Sequence, residues 1–205
     1  VTKKEALVRG CFCVADGKNY AVQEPSASDL QNAYFNGWLH SVKVTGVLCY
    51  GFDGTLIWGR HNHPGSWNDG EMSRNLQYRL ADTSKTMDGG CCATDSAFPV
   101  SDEMAGRIIT PLKDGDLERA SRECRRGLIA MSNAITCVRQ SAEWGMGCAS
   151  KCFRQLLLPL PYNPEKRRLR LSNIYHLYNL RVRESGISQI RSVFMPSTTT
   201  GMPGN

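Results

Sequence analysis

The chain has 205 residues, 41% hydrophobic and 21% charged, which excludes an intrinsically disordered chain and is enough to bury a core without disulfide staples. Its net charge of +6 permits an acidic partner such as nucleic acid without demanding one. No apolar run approaches about 18 residues, which excludes a membrane-spanning helix, and the odd count of nine cysteines with no C-x-x-C pair excludes a disulfide framework in favour of a reduced, intracellular protein.

In chain order, "VRGCFCVADG" predicts a strand that ends in an Asp-Gly turn at Asp16. "SASDLQNAYFNGWLH" reads as a loop or a short helix. "SVKVTGVLCYG" and "GTLIWGRHN" are two β-rich runs joined through "FDG", a hairpin signal, with Asp53 as its turn residue. After the loop "HPGSWNDG", Asp69 is placed to cap a helix whose Met72, Leu76 and Leu80 share one face. "CCATDSAF" reads as a short buried strand and "GRIITPL" as another. From about Leu117 the pattern turns helical, with Ile135, Val138, Ala142, Met146, Ala149, Phe153 and Leu156 at a 3.6-residue period. Pro159, Pro161 and Pro164 are expected to end that helix. A last helix is predicted over Ser172–Glu184, followed by a loose tail over 195–205. The order implies a mixed sheet with helices packed on it. The chain begins with Val1 rather than Met and is expected to be a fragment.

Three acids stand out. Asp16 and Asp95 each follow an apolar strand and precede a small or turn-forming residue. Glu143 sits beside the apolar stripe of its helix, flanked by Gly145 and Gly147, which leave room for close approach. Carboxylates converging from separate elements repel one another, and a divalent cation is the natural remedy. Two such ions suit phosphodiester cleavage by an activated water. The bland alternatives are ordinary turn and cap roles for the two aspartates, and a surface pair between Glu143 and Arg139 one turn back. His61 with His63, or Cys148 with Cys152, would supply two zinc ligands each without a clear partner pair.

"FCVADGKNY", "LQNAYFNGWLHSVKVTGVLCYGFDGTLIWGRHNHPGSWND", "TDSAFPV" and "RQSAEWGMG" together resemble the DDE-superfamily endonucleases, with the nearest likeness to Harbinger/PIF-type transposases and proteins derived from them. The resemblance runs over about residues 10–195. It implies an α/β, ribonuclease-H-like fold: a mixed sheet with antiparallel first strands, parallel later strands and flanking helices. It implies divalent-metal-dependent DNA cleavage with two Mg²⁺ or Mn²⁺ ions. Carried over by position, the catalytic and metal-binding acids are Asp16, Asp95 and Glu143, with Asp69 in a supporting role. Asp53, inside the hairpin, is set aside. Ser96-Ala97-Phe98 departs from the family's usual small residue, Gly and Tyr after the second acid.

On this reading residues 1–160 form the catalytic core and 161–194 a basic helical extension of the same domain. Lys18, Arg167, Arg168 and Arg170 are the expected DNA contacts, with Lys166, Arg181 and Arg183 near them. Tyr175 and Tyr178 are expected to pack rather than stack on bases. The expected setting is the nucleus and the expected partner DNA. A separate DNA-binding protein and a homo-oligomer are further candidate partners, and with no helix-turn-helix segment read before Asp16 the chain is expected to be the catalytic domain alone. The alternative is a domesticated or decayed derivative that binds DNA or a protein without cutting. The cysteines before Asp95 are read as small core residues.

Overall fold

A computed structural model describes residue 1 and residues 4–98 and 101–195. Of the expected tail over 195–205, residues 196–205 lie outside the described residues. Strand β1 spans Cys11–Ala21, helix α1 Ser28–Tyr34, β2 Phe35–Asn36, β3 Ser41–Gly51 and β4 Leu56–Pro64. Helix α2 spans Asp69–Ala81, β5 Cys91–Ala93, β6 Ile108–Ile109 and α3 Asp116–Arg119. The long helix α4 runs Arg122–Cys152, α5 Pro164–Ser185 and α6 Gln189–Phe194.

The six strands form one mixed sheet. β3 pairs antiparallel with β1 and β4, and β5 runs parallel between β1 and β6. The short β2 adds to the start of β3. Long antiparallel strands come first and short parallel ones follow. This is the expected ribonuclease-H-like arrangement, with helices on both faces. The β3–β4 hairpin closes as anticipated: Asp53 Oδ1 accepts from the backbone N–H and the hydroxyl of Thr55, at 3.0 and 2.8 Å.

Two apolar layers cover the sheet. On one face Val14, Leu48 and Tyr50 pack with Ile135, Val138, Ala142 and Ala149 of α4 and with Leu171, Ile174 and Tyr178 of α5. On the other, Cys13, Val47, Cys49 and Cys92 pack beneath Met72, Leu76 and Leu80 of α2. Both faces of β1 and β3 are therefore buried, which is why their sequences read as near-continuous apolar runs.

Several boundaries differ from the sequence reading. β1 does not stop at Asp16. It continues to Ala21 because β3 supplies partners as far as Lys43. α4 ends at Cys152, ahead of Pro159, and Pro164 starts a helix instead of ending one. At the first helical position the N–H that proline lacks has no intrahelical partner to lose. The preceding Asn163 caps Lys166 N at 2.9 Å. Helix α5 thus begins eight residues before the predicted Ser172, and it is not the last, because α6 follows it. Tyr175 and Tyr178 do pack: both are buried, and the Tyr178 hydroxyl donates to Gly54 O at 2.9 Å.

The two glycines beside Glu143 serve different surroundings. A Cβ on Gly145 would lie 2.8 Å from the Tyr50 ring, so the room it leaves is already filled by that ring. A Cβ on Gly147 would meet nothing within 4 Å. Gly145→Ala should lower stability by about 1–3 kcal/mol through overpacking, whereas Gly147→Ala should raise it by about 0.5–1 kcal/mol through helix propensity. Chemical denaturation of the two variants checks this; equal effects would contradict the packing assignment.

Candidate active site

The site follows from strand register. β1 and β5 run parallel, with Val14 opposite Ala93. Two residues further along the chain stand Asp16, still on β1, and Asp95, just past the end of β5. Pairing of β5 ends at Ala93, so the sheet opens there and both side chains emerge at the opening. Asp16 shares a face with Val14, towards α4, and this face also carries the charges of Arg139 and Glu143. Glu143 is exposed, whereas Asp16 and Asp95 are half-buried.

Asp69 arrives from the opposite face. The sequence places it as the cap of α2, but that role falls to Asn68, whose side-chain oxygen accepts from Glu71 N at 2.9 Å. Asp69 becomes the first helical residue and its carboxylate turns onto β1. A Cβ on Gly17 would lie 2.9 Å from Asp69 Oδ1, so glycine beside Asp16 leaves the space this carboxylate occupies.

Electrostatics tie the acids together. Burial raises the Asp16 carboxyl to about 6. A hydrogen bond from Gly17 N, at 2.8 Å, and the Arg139 charge oppose the rise; the charges of Asp95 and Glu143 add to it. Asp69 is raised too, by burial first and then by Asp95. Asp95 Oδ1 accepts from Ser96 N at 2.6 Å, so the backbone fixes its direction. Among the described residues, no three of these carboxylates bring oxygens within 4.8 Å of one another. Two ions about 4 Å apart span a wider set of ligands than one.

Oxygen donors from separate elements, with Asp16 and Asp69 disfavoured as anions by burial first and by neighbouring acids next, fit a hard divalent cation. Sequence reasoning missed Arg139. It treats the residue as a surface partner of Glu143, yet among the described residues no salt bridge joins the two, and the Arg139 charge acts on Asp16 instead. The i, i+4 spacing that suggested the pair is the available signal, since it puts both side chains on the same side of α4.

The expected DNA contacts divide. Lys18, two residues past Asp16 on β1, is half-buried near that carboxylate, and burial lowers its pKa. Arg168 and Arg170 are exposed on α5, as are Lys166 and Arg183. Arg167 is fully buried and cannot meet a phosphate. Its guanidinium donates to Asn62 Oδ1, to the Pro161 and Tyr162 carbonyls and to the Tyr34 hydroxyl, and it lies over the Tyr34 ring. Asn62 reaches it from a bulge in β4, where its φ is +70°. A basic run read along the sequence hides this because one residue in it faces inward. His61 packs on the Tyr175 ring, and burial lowers its pKa to about 4. His63 stacks on Trp67 and accepts from Arg60 Nε at 3.0 Å. Both histidines are thus occupied in packing.

Asp16 carries a measurable cost. Its folded-state pKa of about 6 lies above its usual value of 3.8. The folded state therefore holds the proton more tightly, and stability falls as pH rises from about 4 to 6. In chelator, Asp16→Asn should be more stable than the parent at pH 7 by about 1–3 kcal/mol, with the difference vanishing near pH 4. Thermal melts at both pH values check this; a less stable variant at pH 7 would show that Arg139 overcompensates burial.

No helix among the described residues is long and apolar enough to cross a membrane. No curated protein and no solved structure matches the chain. A family model described as DDE superfamily endonuclease matches residues 15–179, a span that begins one residue before Asp16 and contains Asp69, Asp95 and Glu143, and the chain belongs to that superfamily.

Proposed function

We propose that this chain is the catalytic domain of a divalent-metal-dependent DNA endonuclease of the transposase type, of the Harbinger/PIF kind. The observation that carries the reading is the parallel pairing of Val14 with Ala93, two residues before Asp16 and Asp95, with the charges of Asp95 and Glu143 both felt at Asp16 and that of Asp95 at Asp69. Asp16 and Asp95 would hold a divalent cation between neighbouring strands, and Glu143 would hold the second from α4. When bound, Mg²⁺ or Mn²⁺ supplies a lowered pKa for the attacking water and charge compensation at the leaving oxygen. No side chain acts as nucleophile in this scheme.

The protein's own groups bind and orient. Asp69, against Gly17, keeps β1 and the start of α2 in fixed relation beside Asp95. Arg139 offsets part of the negative charge at Asp16. Lys18 would draw a scissile phosphate towards the acids, and Arg168 and Arg170 would hold flanking phosphates.

Supercoiled plasmid incubated with Mg²⁺ or Mn²⁺ tests the chemistry. Asp95→Asn should lose nicking by more than about 100-fold, and Asp69→Asn by about 10–100-fold, the usual range for a supporting group. Nicking that persists unchanged in Asp95→Asn overturns the assignment. A folded parent that retains DNA in every condition yet never nicks it would favour the domesticated or decayed alternative.

The DNA surface has its own test. Arg168→Ala and Arg170→Ala should each weaken duplex binding uniformly across sequences and reduce the salt slope by about 0.9. Arg167→Ala should instead lower stability by about 3–5 kcal/mol, because buried hydrogen-bond acceptors lose their donor. Titrations at several salt concentrations, with melts in parallel, check both; a salt-slope change in a fully folded Arg167→Ala would contradict its structural role.

A further inference from the structure

Three thiols from three strands meet on the sheet face covered by α2. Cys13 lies on β1, Cys49 on β3 and Cys92 on β5, and their Sγ atoms all lie within 4.8 Å of one another. They are 1%, 0% and 0% exposed and form no disulfide. Among the described residues they are the one group of three His, Cys, Asp or Glu side chains gathered this tightly.

A core position asks only for small apolar volume, which alanine or valine supplies as well. Mutual approach of three sulfurs is a further property, and it has ligand geometry. A metal–sulfur bond of about 2.3 Å puts the three sulfurs around one ion about 4 Å apart, inside the observed limit. Thiolates select soft cations such as Zn²⁺ and Cu⁺ over the hard Mg²⁺ that suits carboxylates.

Access and charge also fit. Cys13 and Cys49 line a cavity of about 140 Å³ together with Trp58, Leu76, Arg79 and Lys85. The cavity offers a path for an ion, and it has room for a water, which takes up about 30 Å³, as a fourth ligand. Arg79, exposed at the rim, brings positive charge to a site that three thiolates would leave net negative, whereas Lys85 is paired with Asp82.

We propose that Cys13, Cys49 and Cys92 form a three-thiolate site for a soft, thiophilic cation, Zn²⁺ or Cu⁺, separate from the carboxylate cluster. Three S–H bonds break and three sulfur–metal bonds form. The three protons pass to solvent, so affinity rises with pH. The oxidation state of neither metal nor sulfur changes. Cys13 precedes Asp16 by three residues, and Cys92 precedes Asp95 by the same interval. On β1 that odd spacing puts sulfur and carboxylate on opposite faces of the strand, and Asp95 lies two residues beyond the end of β5. The ion would therefore clip β1 to β5 directly behind the two acids without touching them.

The full chain, reduced and stripped of metal, is titrated with Zn²⁺ and separately with Cu⁺ delivered from a bicinchoninate complex. X-ray absorption then counts sulfur ligands. At least one ion should bind with one equivalent, three sulfurs and a raised Tm. Affinity should be unchanged in Asp95→Asn and in a variant with Cys124, Cys137, Cys148 and Cys152 all changed to Ala, and should fall at least about 100-fold in Cys92→Ala. The proposal is overturned if the folded parent binds neither ion, if fewer than three sulfurs are found, or if tight binding survives Cys92→Ala. Should Cys92→Ala fail to fold, the sulfur count on a variant in which all six other cysteines, Cys11, Cys91, Cys124, Cys137, Cys148 and Cys152, are changed to Ala decides.

Discussion

Val14 sits opposite Ala93 in a parallel strand pair, and two residues later each strand releases a carboxylate. Period-two alternation makes this register strict. A slip of one residue on either strand would send its acid to the other face of the sheet and bring a neighbour, Ala15 or Gly17 for Asp16 and Thr94 or Ser96 for Asp95, into its place. Apolar layers on both faces resist that slip, since β1 and β5 are packed between α4 and α2. The carboxylate pair is therefore a consequence of core packing, held by groups that take no part in its chemistry.

The same rigidity explains the electrostatic tension at Asp16. A flexible loop would let the acids separate into solvent, and burial would not raise the Asp16 carboxyl. Here the strand keeps it beside Asp95, and α4 keeps Glu143 and Arg139 near it. α4 can approach this closely because Gly145 admits the Tyr50 ring from β3. Ligands presented by strands and helices hold their spacing better than ligands on loops, at the expense of some stability in the metal-free state.

Much of this was legible in the sequence. The long apolar runs of β1 and β3, the Asp-Gly-Thr hairpin and the α4 stripe follow from periodicity and turn chemistry, and the three acids stand out by their place after or beside those runs. What escaped depended on partners distant in the chain. Asp16 reads as the end of a strand because Asp-Gly is a turn signal, yet β3 carries the strand onward. Asp69 reads as a cap because Asn68, one residue earlier, is as good a cap by type. Arg167 reads as part of a basic run because its acceptors come from residues 34, 62, 161 and 162. The cysteines read as small core residues, and only strand order reveals that Cys49 completes a triangle with Cys13 and Cys92.

Crystals grown with Mn²⁺ and measured at its absorption edge give the most direct test of the central claim. The account predicts anomalous density between Asp16 and Asp95, with Glu143 beside a second peak. Mn²⁺ ordered elsewhere, with the Asp16 and Asp95 carboxylates unbridged, would contradict it.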